Sequence, residues 1–312
     1  MLEMLAQLLL SVDFLAAAIR FSTPLLGASL GEIISERSGV VNIGLEGMML
    51  CGALGAVLGT WKTGNPFIGV LAAILAGLIV ALILAFFSIT LAVNQVVVGM
   101  ALNIGSLGFT TFLSRLAFST ADSRPRVEGL GALHLPVLGD LPFLGPVFFN
   151  QSILVYITWL LIPIVGFLLM RTEWGLNLRA VGENPEASAS LGLSVHRIRY
   201  TAVLICGAMA GFAGSFLSLV QLDTFVEGMT GGRGFIVLAV VIVGKWVPWR
   251  AMLAALLFGA LEAIALRSQA LAFKLPYELL LALPYLVTLL VYAGLVGQAR
   301  SPEALGKAFV RD

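Results

Sequence analysis

Few residues in this chain could do chemistry. His134 and His196 lie far apart, and so do Cys51 and Cys206. Neither pair has the spacing of a metal site or a redox pair. The cysteines, both in apolar segments, read as buried thiols. No HExxH or GxSxG occurs. "EALGKA" (303–308) holds a Gly-Lys pair but lacks the upstream Gly and the following Ser or Thr of a phosphate loop. No catalytic or metal-ligating residue is assigned, and ATP is not bound through that motif. What remains is the chemistry of binding and positioning. Glu46, Glu262, Asp13, Arg20, Asn42, Asn94, Gln95 and Asn103 are polar groups set in or against apolar runs. An ionisable group at a bilayer centre costs roughly 2.5–3.5 kcal/mol on insertion scales, so it faces a cavity or a partner.

The amides fall in two segments, "NIGLEGMML" (42–50) and "NQVVVGMALN" (94–103), each placing Asn or Gln at the start of an apolar run with Gly nearby. Such starts suit broken helices that line a polar path. On this reading Asn42, Glu46, Asn94, Gln95 and Asn103 are candidate path residues. Asn103 lies roughly 13 Å into its run at helical rise. The alternative is that the amides cap helix ends or bridge neighbouring helices. Asp13 and Arg20 share a helix face but stand two turns apart, too far for direct contact. Glu262 requires a polar partner that the sequence does not identify.

The elements that position these residues follow from composition. Of 312 residues 59% are hydrophobic and 11% charged, and the net charge is +1. Soluble domains carry about 25% charged residues, so the chain is a polytopic membrane protein with the lipid bilayer as its solvent. No basic patch is dense enough for nucleic acid. The expected fold is all-α, a transmembrane bundle of about nine spans (range eight to ten) in a single domain, 1–312. The runs are 14–34 (interrupted by Pro24), 41–60, 67–92, 96–118, 152–170, 200–221, a short 235–246, 250–267 and 277–296. Lys and Arg place 171–199, the 245–250 turn and the tail from Arg300 on one side, read as cytoplasmic. The Pro-containing loop 119–150 is then extracytoplasmic.

"PFIGVLAAILAGLIVAL" from Pro66 resembles "PWRAMLAALLFGALEAI" from Pro248. Leu71, Ala72, Ala73, Leu75, Gly77 and Ala81 recur as Leu253, Ala254, Ala255, Leu257, Gly259 and Ala263. Low-complexity apolar sequence also produces such matches by chance. By span count the copies run in opposite directions, which is the pattern of an inverted repeat. Gly27/Gly31, Gly55/Gly59 and Gly207/Gly211 have the spacing for close helix packing, read as packing within one chain.

"RAVGENPEASASLGLSVHRIR" (179–199) is a polar interruption. Asn184 suits an N-cap, Pro185 the first helical position, Glu186 the positive helix start and Gly192 the stop. Leu191, Leu193 and Val195 offer apolar contacts. So short a helix needs a surface to dock on. That surface is either the membrane surface, the helix then being a connector, or a groove in a soluble partner.

At "GEIISERSGVVNIGLEGMML" (31–50), "NQVVVGMALN" (94–103) and "GLNLRAVGENPEASASLGLSVHRIRYTAVLICGAMAGFAGS" (175–215) the chain resembles permease subunits of bacterial ABC importers. The branch is that of nucleoside, simple-sugar and branched-chain amino-acid permeases, most like the shorter nucleoside-type permease. The resemblance implies a type II importer fold, usually with ten spans, in the bacterial cytoplasmic membrane. It implies two cytoplasmic ATPase subunits, a second and longer permease chain, and an extracytoplasmic substrate-binding lipoprotein. The chain itself would hold no cofactor, ATP being bound by the partner subunit. Gly182, Glu183, Asn184, Pro185, Ala187, Leu191 and Gly192 fall on the family's coupling helix. The expected activity is nucleoside import by alternating access, with simple sugars as the nearest substrate alternative. An ion-coupled transporter with Glu46 or Glu262 as its proton site is a further alternative. A membrane enzyme lacks the catalytic cluster it would need.

Overall fold

The computed structural model describes residues 11–118, 125–134, 136, 138–270, 286 and 300–309. Helix α1 (Val12–Arg37) starts on Ser11, whose hydroxyl accepts from Phe14 N. It continues through Pro24, near which Ser22 and Thr23 both donate to the Ile19 carbonyl. Helix α2 (Leu45–Thr63) stops at Gly64. Asn65 caps α3 (Pro66–Ala85), with Pro66 at its first position, and a wider turn (Phe86–Thr90) closes that helix. Helix α4 is Gln95–Ala117. Two three-residue strands, β1 (Ala132–His134) and β2 (Asn150–Ser152), pair antiparallel and are the only strands among the described residues. Then come α5 (Ile153–Arg171), α6 (Glu173–Glu183) and α7 (Pro185–Ser190). Helix α8 (Val195–Phe216) ends in a wider turn (Leu217–Gln221), and α9 (Arg233–Val243) and α10 (Pro248–Ala270) follow.

Six helical segments among the described residues are long and apolar enough to cross a membrane: Val12–Arg37, Pro66–Thr90, Gln95–Phe118, Ile153–Arg171, Val195–Gln221 and Pro248–Arg267. They account for six of the apolar runs. The run 41–60 is occupied by α2, and 235–246 by the short α9. The run 277–296 lies, but for residue 286, outside the described residues.

Helices α1 and α8 form the centre. In each, 78% of the apolar crossing stretch is buried, against 22% in α4 at the periphery. They can approach because their contact faces are small: Gly27 lies beside Phe212 and Ala213, and Gly31 beside Cys206 and Met209. These pairs run in opposite order, so α1 and α8 are antiparallel. Ala73 faces Gly211 and Ala81 faces Gly207, which makes α3 antiparallel to α8. Gly259 lies on Ala18 and Ser22, and Arg267 reaches Ser11 and Asp13, which makes α10 antiparallel to α1. It follows that α3 and α10, the two resembling segments, run in opposite senses. Their corresponding glycines, Gly77 and Gly259, each make a backbone-close contact with a central helix. Opposite senses are what an inverted repeat requires of its two copies. Gly55 and Gly59 also pack within the chain, against α3.

Candidate coupling site and membrane-interior polar centre

Short polar helices collect at one end of the bundle. Thr172 caps α6 through Gly175 N (3.1 Å). Asn184 caps α7, its Oδ1 accepting from Ala187 N (2.9 Å), with Pro185 at the first position. The chain turns away from α7 at Gly192, at φ +87°, and Leu193 N donates back to Ser188 O (3.1 Å). A side chain at that φ would be strained. One face of α7 is anchored through buried Ser188, while Glu186 and Ala187 are exposed. Leu191 is 84% exposed. Val195, expected beside it on the contact surface, is instead core. A large apolar side chain on a rigid polar tip is what a groove in another protein accepts.

This end is tied to the central helices through backbone. A Cβ on Gly182 would collide with the Arg37 carbonyl oxygen, so α6 rests directly on the end of α1. Gly182 O accepts from Ala304 N (2.9 Å), the Glu183 carboxylate from Glu303 N (3.4 Å), and Gly39 O from Gly306 N (3.1 Å). Arg199, 1% exposed, donates Nε to Ser38 O (3.2 Å) and Nη1 to Lys307 O (3.0 Å). Arg37 donates to Trp246 O (3.4 Å). The basic segments 171–199, 245–250 and 300–309 therefore share one end, as the charge pattern indicates.

Just inside that end lies a polar node. Glu32 and Glu36 sit one turn apart on α1, both buried. Glu32 accepts from Asn42 N (3.0 Å) and from the Cys206 thiol (3.2 Å), and Glu36 accepts from the Trp246 indole. Asn42 Nδ2 donates to Met48 Sδ and Cys206 Sγ (both 3.3 Å). The other sequence-selected amides are also engaged. Asn94 caps α4 through Val96 N and Val97 N. Gln95 Oε1 accepts from Val41 N (2.8 Å). Asn103 accepts from Gly47 N (2.9 Å) and donates to Ile43 O (2.8 Å). Gln95 and Asn103 thus pin the α1–α2 connection to α4, and Asn42 ties the same connection to α8. Asn94 stays on its own helix.

Glu46 does something different. After α8 the chain leaves helical geometry at Leu222 and returns along α4. Glu227 pairs with Arg115 (3.0 Å), and Gly228 lies near Leu107. The segment ends where Glu46 accepts from Gly232 N (2.8 Å) and Gly234 N (2.7 Å). There α9 begins, and it runs towards the Trp246–Glu36 contact. Its 11 residues span about 16 Å at helical rise, half of a hydrocarbon core of about 30 Å. So α9 is long enough for only half a crossing, and Glu46 satisfies free N–H groups at its start that lipid could not satisfy. Arg233, the first residue of α9, ion-pairs with Glu262 of α10 and donates to Met229 O (3.1 Å) and Thr230 O (3.2 Å). Arg233 is the partner Glu262 requires. Asp13 pairs with Arg267 (3.6 Å).

Sequence reasoning passes over Glu32, Glu36, Arg233 and Trp246, and takes Arg199 only as one of the positive charges of 171–199. Glu32 and Glu36 stand at i, i+4 in an apolar run, which is a usable signal. Arg233 sits in "GGRGF", which reads as loop.

The family described as branched-chain amino acid transport system / permease component matches residues 14–292. The chain belongs to this permease family. A Haloferax volcanii protein described as a putative glucose ABC transporter permease, TsgC13, is 41% identical over 85% of the permease and 80% of its own length. The guanosine ABC transporter permease protein NupQ of Bacillus subtilis is 36% identical over 95% of both chains. A solved inward-facing ABC transporter described as of metal-chelate type superposes with TM-score 0.50 at 15% identity, covering 90% of the permease and 85% of that chain. The permease has the type II ABC importer fold and is a multi-pass protein of the cytoplasmic membrane. As a permease component it has no catalytic site or cofactor of its own. The family implies an ATPase, a second permease and a binding protein as partners.

Proposed function

We propose that this permease moves nucleosides inward by alternating access, and that an ATPase drives it through α7. The observation that carries the cargo assignment is the match to the guanosine permease over 95% of both chains. The 41% identity to the glucose-type protein favours simple sugars as the second reading. Residues 1–312 act as one transmembrane unit. Residues 119–150 lie outside, facing a substrate-binding lipoprotein, and 171–199 lie in the cytoplasm. The second permease chain is a longer relative.

Gly182, Glu183, Asn184, Pro185, Ala187, Leu191 and Gly192 form the coupling element. Leu191 and Ala187 meet the ATPase, and Asn184, Pro185 and Gly192 fix the helix ends. Gly182 and Glu183 pass the displacement to α1 and to 300–309. Asn42, Asn94, Gln95 and Asn103 shape the wall beside the path, and Glu46 holds the start of α9 within it. A binding protein that selects the cargo leaves the permease free to bind it weakly, which speeds release. The experiment is uptake by the purified importer in proteoliposomes with its binding protein, offering labelled guanosine or labelled glucose with and without ATP. ATP-dependent guanosine uptake supports the reading. Glucose uptake alone replaces the cargo. Uptake that survives without ATP and collapses with the membrane potential overturns the mechanism.

A further inference from the structure

Between α2, α3 and α4 lies a cleft of about 400 Å³. Leu54 and Leu58 of α2, Ile79 and Ile83 of α3, and Gly105 and Phe109 of α4 line it. It opens at the molecular surface where Ile79 and Phe109 are exposed. Its wall is almost wholly apolar, and the hydroxyls in it are engaged. Thr110 donates to the Ser106 carbonyl (2.7 Å), and the Ser106 side chain lies against Gly47 and hydrogen-bonds with the Cys51 thiol. The cleft therefore suits an apolar occupant, since a polar one would leave its own groups unpaired there.

Leu75 and Leu82 on α3 and Ile104 on α4 flank the mouth and are exposed. The cleft is thus continuous with apolar faces of a membrane-spanning bundle. A helix entering it would be about 10 Å across and, over one leaflet, would need roughly 1,200 Å³. The cleft holds about a third of that. A single hydrocarbon tail is thin enough to enter.

The far end of the cleft carries a second, independent feature. Lys62 is exposed and stands one turn beyond Leu58 on the same face of α2. Beside it, Trp61 packs edge-on against Phe118, just after α4, with ring centroids 5.5 Å apart. Aromatic side chains of this kind sit where headgroups meet tails. Cys51 is the wall residue of α2 nearest the coupling end. From Cys51 to Lys62 is about 16 Å at helical rise, and one leaflet of hydrocarbon is about 15 Å deep. A cation over an apolar slot one leaflet deep is the complement of a phosphate over a tail.

We propose that this cleft holds one tail of a phospholipid from the leaflet opposite the coupling end, with its phosphate at Lys62. Helix α4 is tied through Gln95 and Asn103 near its start and through Arg115 to Glu227 near its end. Between those ties the tail supplies the packing that α3 does not give it.

The test uses the assembled importer in liposomes doped with phosphatidylglycerol that carries a diazirine at the end of one tail. Photolysis and peptide mapping should place label on 51–58 of α2. Leu54 is buried, so a tail reaches it only through the cleft. Gly105 has open space around a Cβ, so Gly105→Phe should fill the cleft with the fold intact. It should lower labelling of 51–58 several-fold and leave that of exposed Phe167 on α5 unchanged. A diacylglycerol with the same tail should label 51–58 about fivefold less, one basic side chain's worth at a membrane surface. Lys62→Gln should erase that difference. A photoreactive phenylalanine analogue in place of Ile79, at the mouth, should crosslink to lipid. No label on 51–58, or label that Gly105→Phe leaves unchanged, overturns the site. Equal labelling by the two lipids in the wild-type importer overturns the role of Lys62. Crosslinking from position 79 to the second permease chain gives the cleft to protein and overturns the lipid assignment.

Discussion

Replacing Glu46 by alanine should release the start of α9. The Glu46 carboxylate takes two backbone N–H groups, from Gly232 at 2.8 Å and Gly234 at 2.7 Å. Hydrogen bonds to a charged group contribute about 1.5–3 kcal/mol each. Their joint removal therefore costs about 3–6 kcal/mol, before any loss of favourable charge at a helix N-terminus. Glu46→Gln keeps one acceptor and should lose about half. The contact has a steric side too. A Cβ on Gly234 would collide with Glu46 N, so the two segments already touch through backbone. The assay is amide hydrogen exchange of peptides covering 230–236 in the detergent-purified complex, since protection there reports local opening. A loss of about 3 kcal/mol raises exchange by roughly 100-fold. Exchange should be fastest for alanine, slower for glutamine and slowest for wild type, with uptake in the reverse order. Alanine and wild-type proteins exchanging within about threefold of each other, well below what a single charged hydrogen bond contributes, would refute the reasoning.

Gly211→Ala drives a Cβ into the Ala73 carbonyl oxygen and should cost about 1–3 kcal/mol as overpacking, read as a lower unfolding temperature. Gly105→Ala, with open space around it, should leave that temperature unchanged. Ala187→Arg or Leu191→Asp should leave the fold intact and uncouple ATP hydrolysis from uptake, and normal coupled uptake would remove α7 as the docking element. Gly192→Val, at φ +87°, should cost about 1–2 kcal/mol locally and lower ATPase binding in a pull-down. Arg199→Met takes the donor from the Lys307 carbonyl, so limited proteolysis within 300–309 should quicken.

Helix α7 is legible from sequence because its determinants are local. An Asn cap, the proline after it and a glycine stop act within a few residues, and the structure uses all three. The apolar crossings are legible because length and hydropathy alone set them. Helix α9 is harder. Its start depends on a carboxylate 186 positions upstream, so one dimension shows only a short apolar run. Glu32 and Glu36 escape notice for the same reason, since Cys206 and Trp246, which satisfy them, lie on α8 and after α9. The amides Asn42, Gln95 and Asn103 are visible as polar groups at or near helix starts. Which partner each takes depends on how α4 and α8 settle against the α1–α2 connection.

The segment 300–309 has a consequence for biogenesis. It closes over Gly39, Gly182 and Arg199, the last two on the helices α6 and α8 that flank α7. Translation delivers Ala304 and Gly306 after every helix described above. The two helices that hold α7 between them are therefore braced by this segment only once the ribosome has passed these residues. If α7 is where an ATPase docks, that partner would prefer chains in which this segment has closed to chains in which it has not.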